Sequence, residues 1–496
     1  GNSAFGGLSF MNIKSILNGI FIKKYVNYDE KTEKINIKQI KTDTNDKNLK
    51  NSLFVCINGY NFDSHDLSRS LEKKGIKFIV CEKEIETNLP YVIVENSRGI
   101  LGALCDNFYN HPTKSFSLIG VIGTNGKTST TYFIKQLLNL NNKKCSVIGT
   151  SGVYINEKKL KETLTTPDPL VLYDLFCKAK KAKSDFVVME ISAHAIYLKK
   201  VASLICDIVV FTNFSQDHLD FFKTMECYKQ TKFSFFNEFN AKKAIINIDC
   251  EAGRELYKQI ENKIDTKTYS LERKADYIFN IKNQFLDKTI FLSNLDGFFS
   301  DFTVFVPTIF NLYNILCATS VVKELGLKID QNILIKLKSV KGRFDLIKTK
   351  NDNIVIIDYA HTPESLENVL KSVKTLCKRP IIALFGCPGN RDETKREIMG
   401  EIAYKYCKKI YITSDNPKYE NPLIICDEIK RGAKEKGEII ENRSEAIKNA
   451  IKNLKKDDVL CVLGKGSEEY QDINNKKIKY SDYTVTLKCI KKLKKQ

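Results

Sequence analysis

Six consecutive residues, Gly123-Thr124-Asn125-Gly126-Lys127-Thr128, with Ser129 after them, are of the types that hold a phosphate. Glycines let successive backbone N–H groups close around anionic oxygens, and the positive end of a following helix favours the charge. A lysine at that place reaches the outer phosphates, and a threonine hydroxyl takes the accompanying Mg²⁺. The spacing is shorter than the general GxxxxGK[ST] pattern, since Val121 stands where its first glycine would be. Glu190 closes the run DFVVMEIS, and Asp217, His218 and Asp220 follow FTNFS. Acidic and imidazole groups at the carboxyl ends of neighbouring parallel strands converge where such sheets bind ligands, which makes Glu190 and His218 candidate metal ligands. A lone histidine in DHLD reads equally as a turn residue. Lys232, in YKQTKFSFF, reads by spacing alone as a surface lysine laying its stem along an aromatic face. The loop by itself does not say whether the nucleotide serves hydrolysis, motion, signalling or bond formation.

These residues need a frame, and the apolar runs supply one. SLIGVIG leads into the loop and TTYFIKQLL out of it, a strand–loop–helix pattern. CSVIGT, DFVVMEIS, CDIVVFTNF and KKAIINID are continuous apolar runs alternating with helical stretches, as in a parallel sheet covered on both faces. Earlier, SLFVCI, KFIVCE and YVIVEN predict a small α/β region, and HPTKSF a linker. Beyond position 253 YIFNIKNQF, KTIFLSNL and FTVFVP predict hairpin strands, and 309–327 a helix. NIVIIDYA, RPIIALFG, KKIYITSD and DVLCVLG then predict a third α/β region. The chain therefore divides into 11–112, 113–341 and 342–496.

Composition narrows the function. At 496 residues the chain exceeds one ordinary core. No apolar run approaches the roughly 18 residues of a membrane span. The residues before Met11, GNSAFGGLSF, are small and uncharged and read as an extension, not a secretory signal. Fifteen scattered cysteines without a CxxC pair read as reduced thiols in a cytoplasmic enzyme. The net charge of +20 is nearly all lysine spread along the chain, without the compact basic, aromatic-studded block of a nucleic-acid binder.

GTNGKT, TTPDP, MEISAH, TNFSQDHLD, YKQTK, DYAHTP, GNRDETKR, SDNPK and GKGSEEYQ occur in the order found in the Mur ligases. The chain resembles that family over residues 40–490, and within it the branch that joins a diamino acid to UDP-N-acetylmuramoyl-L-alanyl-D-glutamate, because of GNRD, DNPx and GKGxE. The resemblance implies an α/β, three-domain Mur ligase architecture: a small uridine-binding domain, a central P-loop ATPase-like parallel-sheet domain and a C-terminal Rossmann-like domain. It implies ATP and two Mg²⁺ ions as cofactors, with Thr128, Glu190 and His218 at the metals. Lys232 matches a lysine that family members carry as a CO₂-derived carbamate, a further metal ligand. Asn311 matches a residue near the adenine; Arg343, Asp358 and His361 match groups near ribose and phosphates. Thr165, Thr166 and Ser192 match positions holding the muramoyl dipeptide, and LFVCINGYNFD part of the uridine domain. Arg391, Asp415, Asn416, Lys418, Gly464 and Glu468 match the pocket of the incoming amino acid.

The implied reaction belongs to peptidoglycan precursor synthesis. The γ-phosphoryl group of ATP converts a D-glutamyl carboxylate into an acyl phosphate, and an amine displaces phosphate to leave an amide. The third domain should close over the centre to exclude water. Small-molecule partners and a monomer are expected. Three departures from the family pattern matter. DNPK stands for DNPR, so Lys418 supplies charge without the guanidinium fork. That favours meso-diaminopimelate or a related diacid such as lanthionine, with L-lysine the alternative; the D-Ala-D-Ala-adding sister ligase is the runner-up. Asp43-Thr44-Asn45 stands for DSR in the uridine domain, and MEISAHAIYLKK puts Ala193 and Lys200 where serine and a substrate-contacting arginine are usual. Ser467 stands for the histidine of GKGHE.

Overall fold

The structure, a computed structural model, describes residues 10–58, 68–160, 164–215, 219–295, 297–349, 352–391 and 393–493. Residues 1–9, the second half of LFVCINGYNFD, Asp217, His218 and Asp392 lie outside the described residues, as does the side chain of Asp220.

The runs expected as strands are strands. Ser52–Val55, Phe78–Cys81 and Tyr91–Ile93 form the parallel centre of a five-stranded sheet, with Gln39–Lys41 parallel at one edge and Lys24–Val26 antiparallel at the other. A nine-stranded sheet follows. Its middle is parallel, in the order Cys145–Gly149, Phe186–Glu190, Ser117–Ile122, Ile208–Phe211, Lys243–Asn247, Asp265–Ser270. Ser117–Ile122 sits between Phe186–Glu190 and Ile208–Phe211. The loop that leaves it therefore opens between the ends of two neighbouring strands, which is where such sheets bind ligands.

Compactness groups the chain into two units. One comprises Gly1–Phe279, Asn294–Phe298 and Tyr313–Ile329. The linker expected at 111–116 is present as a 3₁₀ turn, Pro112–Ser115, yet the two sheets it joins share one core. Leu101, Leu104, Cys105 and Phe108 of helix Ser97–Phe108 are buried in the same cluster as Leu172, Tyr173 and Phe176 of helix Pro169–Lys181. Phe116, in the linker itself, meets the ring of Phe176 at 5.6 Å.

The second unit comprises Asn280–Ser293, Phe299–Leu312 and Asp330–Gln496. The hairpin strands expected after position 253 form a three-stranded antiparallel sheet, Asn280–Gln284, Thr289–Ser293 and Ser300–Val304. By compactness they group with the second unit. Leu286 is buried with Phe344, Ile354 and Ile356, and Asp287 pairs with Lys348 at 2.8 Å. The six-stranded sheet runs Asp345–Lys348, Ile354–Asp358, Val459–Leu463, Ile381–Phe385, Lys409–Ile412, Gly437–Ile439, all parallel but for the first. Separate hydrophobic clusters contain the side chains from alternate positions of these strands. The edge strands and the hairpin Tyr470–Ile473/Lys476–Lys479 had no apolar run to announce them. Among the described residues no helix is long and apolar enough to cross a membrane.

Candidate active site

In the first unit the loop leaves Ser117–Ile122 and enters helix Lys127–Leu140 through Gly126, whose φ of +81° is open to glycine at no steric cost. A Cβ there would meet Asn314 Oδ1 at 2.4 Å, and one at Gly123 would meet Thr212 Oγ1 at 1.8 Å. The turn after Ile208–Phe211 braces the loop from the side. Thr124 N donates to Asn213 O (3.0 Å), Asn125 N to Asn213 Oδ1 (2.8 Å), and Thr212 Oγ1 to Asn125 O (2.7 Å). Asn125 Nδ2 donates to Ser215 Oγ at 3.1 Å. Lys127 Nζ folds back onto Gly123 O and Thr124 O, both at 2.9 Å, and Ser129 is half-buried in the first helical turn.

Glu190 ends its strand 1% exposed. Its carboxylate accepts from Thr128 Oγ1 (2.9 Å), Thr150 N (3.0 Å) and Thr150 Oγ1 (3.0 Å). Thr150 Oγ1 lies 3.0 Å from Thr165 Oγ1; Thr166 Oγ1 donates to Glu190 O and accepts from Ser192 N. The structure thus gathers Thr128, Thr165, Thr166, Glu190 and Ser192 into one network. All three donors to the Glu190 carboxylate are neutral, and no ion pair reaches it among the described residues. A buried carboxylate so held beside the phosphate loop, with a hydroxyl 2.9 Å away, is an oxygen-rich donor set that suits Mg²⁺.

Lys232 corrects the reading by spacing. It is 1% exposed, not a surface residue: Nζ donates to Gly123 O at 2.7 Å and lies 4.5 Å from the centre of the Tyr228 ring. The helix Met225–Phe233 turns Tyr228, Lys232 and Phe233 inward. The i, i+4 spacing of Tyr228 and Lys232 beside a run of phenylalanines was the signal available.

Asp43, Thr44 and Lys200 line one cleft of about 430 Å³ together with Asn45, Arg98 and Asp168. Lys200 Nζ pairs with Asp168 at 2.9 Å, and Asp43 Oδ1 accepts from Asn45 N at 2.9 Å.

The second unit carries the remaining candidates. Asn311 is buried in the first turn of helix Ile309–Glu324. Asp358 accepts from Phe344 N (2.6 Å) and Ala360 N (2.7 Å); burial raises its pKa against the pull of Arg343 and these bonds. Arg343 lies over the Tyr359 ring at 4.6 Å, and His361 Nδ1 is 2.9 Å from Tyr359 O. At the ends of Lys409–Ile412 and Val459–Leu463, two loops meet. Lys465, wholly buried, donates to Asn416 Oδ1 (2.9 Å) and Glu468 Oε2 (2.7 Å) and lies 4.0 Å from Asp415. Asn416 Nδ2 donates to Glu468 Oε2 at 3.2 Å, and Gly464 sits so close that a Cβ would meet Asp415 Oδ2 at 2.8 Å. That Oδ2 is buried without a hydrogen-bond partner among the described residues. Lys418, at φ +53°, is clamped by its backbone between Asp472 O and Asn474 N. Arg391 is exposed on the loop behind, whose Gly389 N donates to Asn416 O at 2.9 Å.

Sequence reasoning assigned no role to Thr212, Asn213, Asn314, Arg396 or Lys465. Four of the five lie inside or beside quoted motifs, but only packing separates a brace from a bystander. Arg396 ties Glu420 (2.9 Å) and Glu428 (2.7 Å), and Glu420 accepts from Asn390 N, which fixes the GNR loop.

Two family models match the chain, one described as the Mur ligase middle domain over residues 121–322, the other as Mur ligase, glutamate ligase domain over residues 342–466. The chain is 40% identical to a UDP-N-acetylmuramoyl-L-alanyl-D-glutamate–2,6-diaminopimelate ligase of Clostridium acetobutylicum, over 89% of this chain and 92% of that one. It is 38% identical to the protein of that name from Bacillus velezensis, over 90% and 93% respectively. A solved structure of a UDP-N-acetylmuramoyl-L-alanyl-D-glutamate–2,6-diaminopimelate ligase superposes with a TM-score of 0.75 at 25% identity, covering 98% of this chain and all of the other.

Proposed function

The chain belongs to the Mur ligase family, and on that premise we propose that it joins 2,6-diaminopimelate to the D-glutamyl side-chain carboxylate of UDP-N-acetylmuramoyl-L-alanyl-D-glutamate at the expense of ATP. The observation that carries this reading is the presence, on one chain, of a phosphate loop bonded to a buried carboxylate and of an acidic amino-acid pocket. Thr128–Glu190 is the first, and Asp415–Lys465–Glu468 the second.

A carboxylate is a poor acyl donor because its leaving group would be oxide. Its oxygen attacks the γ-phosphorus, ADP departs, and the acyl phosphate now carries a good leaving group. The amine then adds to the carbonyl carbon and phosphate leaves with the carboxylate's own oxygen. Lys127, turned from Gly123 O and Thr124 O toward the phosphates, and the N–H groups of residues 126–128 bind and orient the triphosphate, placing positive charge where negative charge develops on the transferring group. Thr128 and Glu190 are suited to hold Mg²⁺, and His218 is proposed with them; the bound ion neutralises phosphoryl oxygens. Asn311, Arg343, Asp358 and His361 are assigned to the nucleotide, Thr165, Thr166 and Ser192 to the dipeptide, and Asp43, Thr44 and Lys200 to the uridine diphosphate end.

Asp415 and Glu468 offer more negative charge than Lys465 removes, which suits the ammonium of an amino acid. Lys418, Arg391, Asn416 and Gly464 complete that pocket, with Lys418 assigned to the distal carboxylate that distinguishes diaminopimelate from L-lysine. Lys232 is assigned as a carbamate. The nitrogen of its neutral amine attacks CO₂ with loss of one proton, and the N–H that remains suffices for the bond to Gly123 O. An intact-mass increment of one CO₂ that disappears on acidification, together with rescue of Lys232→Ala by a short carboxylic acid, would support that assignment; neither would sink it.

The test of the reaction is phosphate release with ATP, Mg²⁺ and the nucleotide dipeptide, run in parallel with meso-diaminopimelate, lanthionine and L-lysine. Release that needs both co-substrates, with a tripeptide mass best formed from diaminopimelate, is expected. Preference for L-lysine would overturn the role given to Lys418, and release without any amino acid would overturn the ligase reading.

A further inference from the structure

Arg443 lies outside every residue assigned above, and its side chain is wholly buried. It opens helix Arg443–Lys452, whose N-cap is Asn442. Nε and Nη2 form a fork on Asp482, both bonds 2.7 Å, while Nη2 also donates to Leu463 O at 2.8 Å. Nη1 reaches Ser414 O at a longer 3.5 Å. Asp482 also accepts from Tyr480 OH at 2.7 Å.

The positions of these partners matter more than their number. Ser414 is the residue before Asp415, and Leu463 the residue before Gly464. Tyr480 follows the hairpin Tyr470–Ile473/Lys476–Lys479, which itself grips the amino-acid pocket. Gln471 Nε2 donates to Asp415 O (2.9 Å), Asp472 N to Asn416 Oδ1 (2.9 Å), and Lys418 N to Asp472 O (3.0 Å). All three segments of the pocket are therefore rooted on one guanidinium and its carboxylate. A planar fork with five donors can hold such a set at fixed angles, and an ammonium cannot. A buried pair of this kind is weak evidence for stability, since apolar replacements often serve as well. Its place beneath three converging segments asks for another reason.

We propose that Arg443, through Asp482, is the positioning residue of the amino-acid pocket: it sets the spacing between the Asp415–Lys418 loop, the Gly464–Glu468 loop and the hairpin over them. The inference rests on assigning that pocket to the diamino acid. The network belongs to the second unit and the phosphate loop to the first, so a selective defect is expected.

The experiment is steady-state kinetics of the full-length enzyme carrying Arg443→Lys, Arg443→Met or Tyr480→Phe, varying diaminopimelate, ATP and nucleotide dipeptide in turn. An error of about 1 Å in a positioned group costs up to about 100-fold. Arg443→Met is expected to raise the KM for diaminopimelate by about tenfold or more, with Arg443→Lys nearly as poor. The KM for ATP should stay within about twofold of wild type. Tyr480→Phe keeps the ion pair and loses only the hydroxyl that ties the hairpin root. It keeps the proposal open to refutation should the arginine variants fail to fold, and its KM for diaminopimelate should rise about threefold at an unchanged melting temperature. Folded variants with a wild-type KM for diaminopimelate, or equal losses for all three substrates, would overturn the proposal. Wild-type enzyme that consumes no diamino acid would instead overturn the assignment of the pocket.

Discussion

Asp415 is a single carboxyl held at a cost to the fold, in one of the loops assigned to the amino acid. Burial lifts its pKa above the ordinary 3.8, while Lys465 and Arg443 pull the other way. A carboxyl whose folded pKa is raised contributes stability that is complete below the unfolded value and is lost as pH rises through the folded one. Asp415→Asn should therefore melt higher than wild type at neutral pH, the margin closing as the pH falls toward about 4. The same change should raise the KM for diaminopimelate about tenfold or more, because the ammonium loses its anionic acceptor. In wild type that KM should climb on acidification, with a limb that Asp415→Asn lacks; a variant that melts lower at neutral pH would contradict this account. Lys418 tests recognition at the other end of the pocket. Lys418→Arg should bind diaminopimelate at least as well, and Lys418→Met should lose about 1.5–3 kcal/mol, or roughly ten- to a hundredfold in kcat/KM. The sequence displayed both residues within SDNPK, but Lys465, which lies beside Asp415 and pairs with Glu468, was one letter among many lysines. Lys232 was less legible still, since in a helix reading MECYKQTKF only its i, i+4 spacing from Tyr228 hints that its last lysine is buried.

At the scale of elements, two tight turns set the geometry. Gly126 opens the helix after the phosphate loop at φ +81°, with Asn314 Oδ1 where a Cβ would be. Gly126→Ala should cost about 1–3 kcal/mol by thermal melting and weaken ATP binding with it. Gly389 lies against Pro417 O, 2.0 Å from the place of a Cβ, so Gly389→Ala should push the GNR loop off the DNPK loop and raise the KM for the amino acid while sparing that for ATP. The strands behind these turns were legible because parallel strands buried on both faces must be continuous apolar runs: SLIGVI, FVVME, IVVF and VLCVL all proved so. Elements stabilised by neighbours were not. Asp345–Lys348 is half charged and the Lys476–Lys479 arm mostly so, and only pairing with Ile354–Asp358 and Tyr470–Ile473 makes them strands. The same holds for Arg443 and Asp482, separated by 39 positions and joined by nothing that a local pattern could reveal.

Across the whole chain the three α/β regions expected from the sequence are present, and the first two share one hydrophobic core. The helices Ser97–Phe108 and Pro169–Lys181 each turn an apolar face into a core that also holds Val92 and Val187, from different sheets. Phe176 is fully buried there, and Phe176→Ala should cost about 3–5 kcal/mol. Hydrogen exchange should show protection lost in both sheets together; loss confined to the nine-stranded sheet would mean that the five-stranded one stands alone. The cleft holding Asp43, Thr44 and Lys200 draws on residues of both regions, so the shared core also fixes the place assigned to the uridine diphosphate. What unites the molecule chemically is the transfer of an oxygen. If the phosphate loop serves bond formation, the glutamyl carboxylate must give one of its oxygens to the phosphate that departs. The measurement is turnover with the nucleotide dipeptide labelled with ¹⁸O in that carboxylate, followed by mass analysis of the released phosphate. One ¹⁸O per phosphate, formed only when diaminopimelate is present and in step with tripeptide, is the predicted result. Unlabelled phosphate would mean that ATP is hydrolysed by water, and the account of this site as an acyl-phosphate ligase would be wrong.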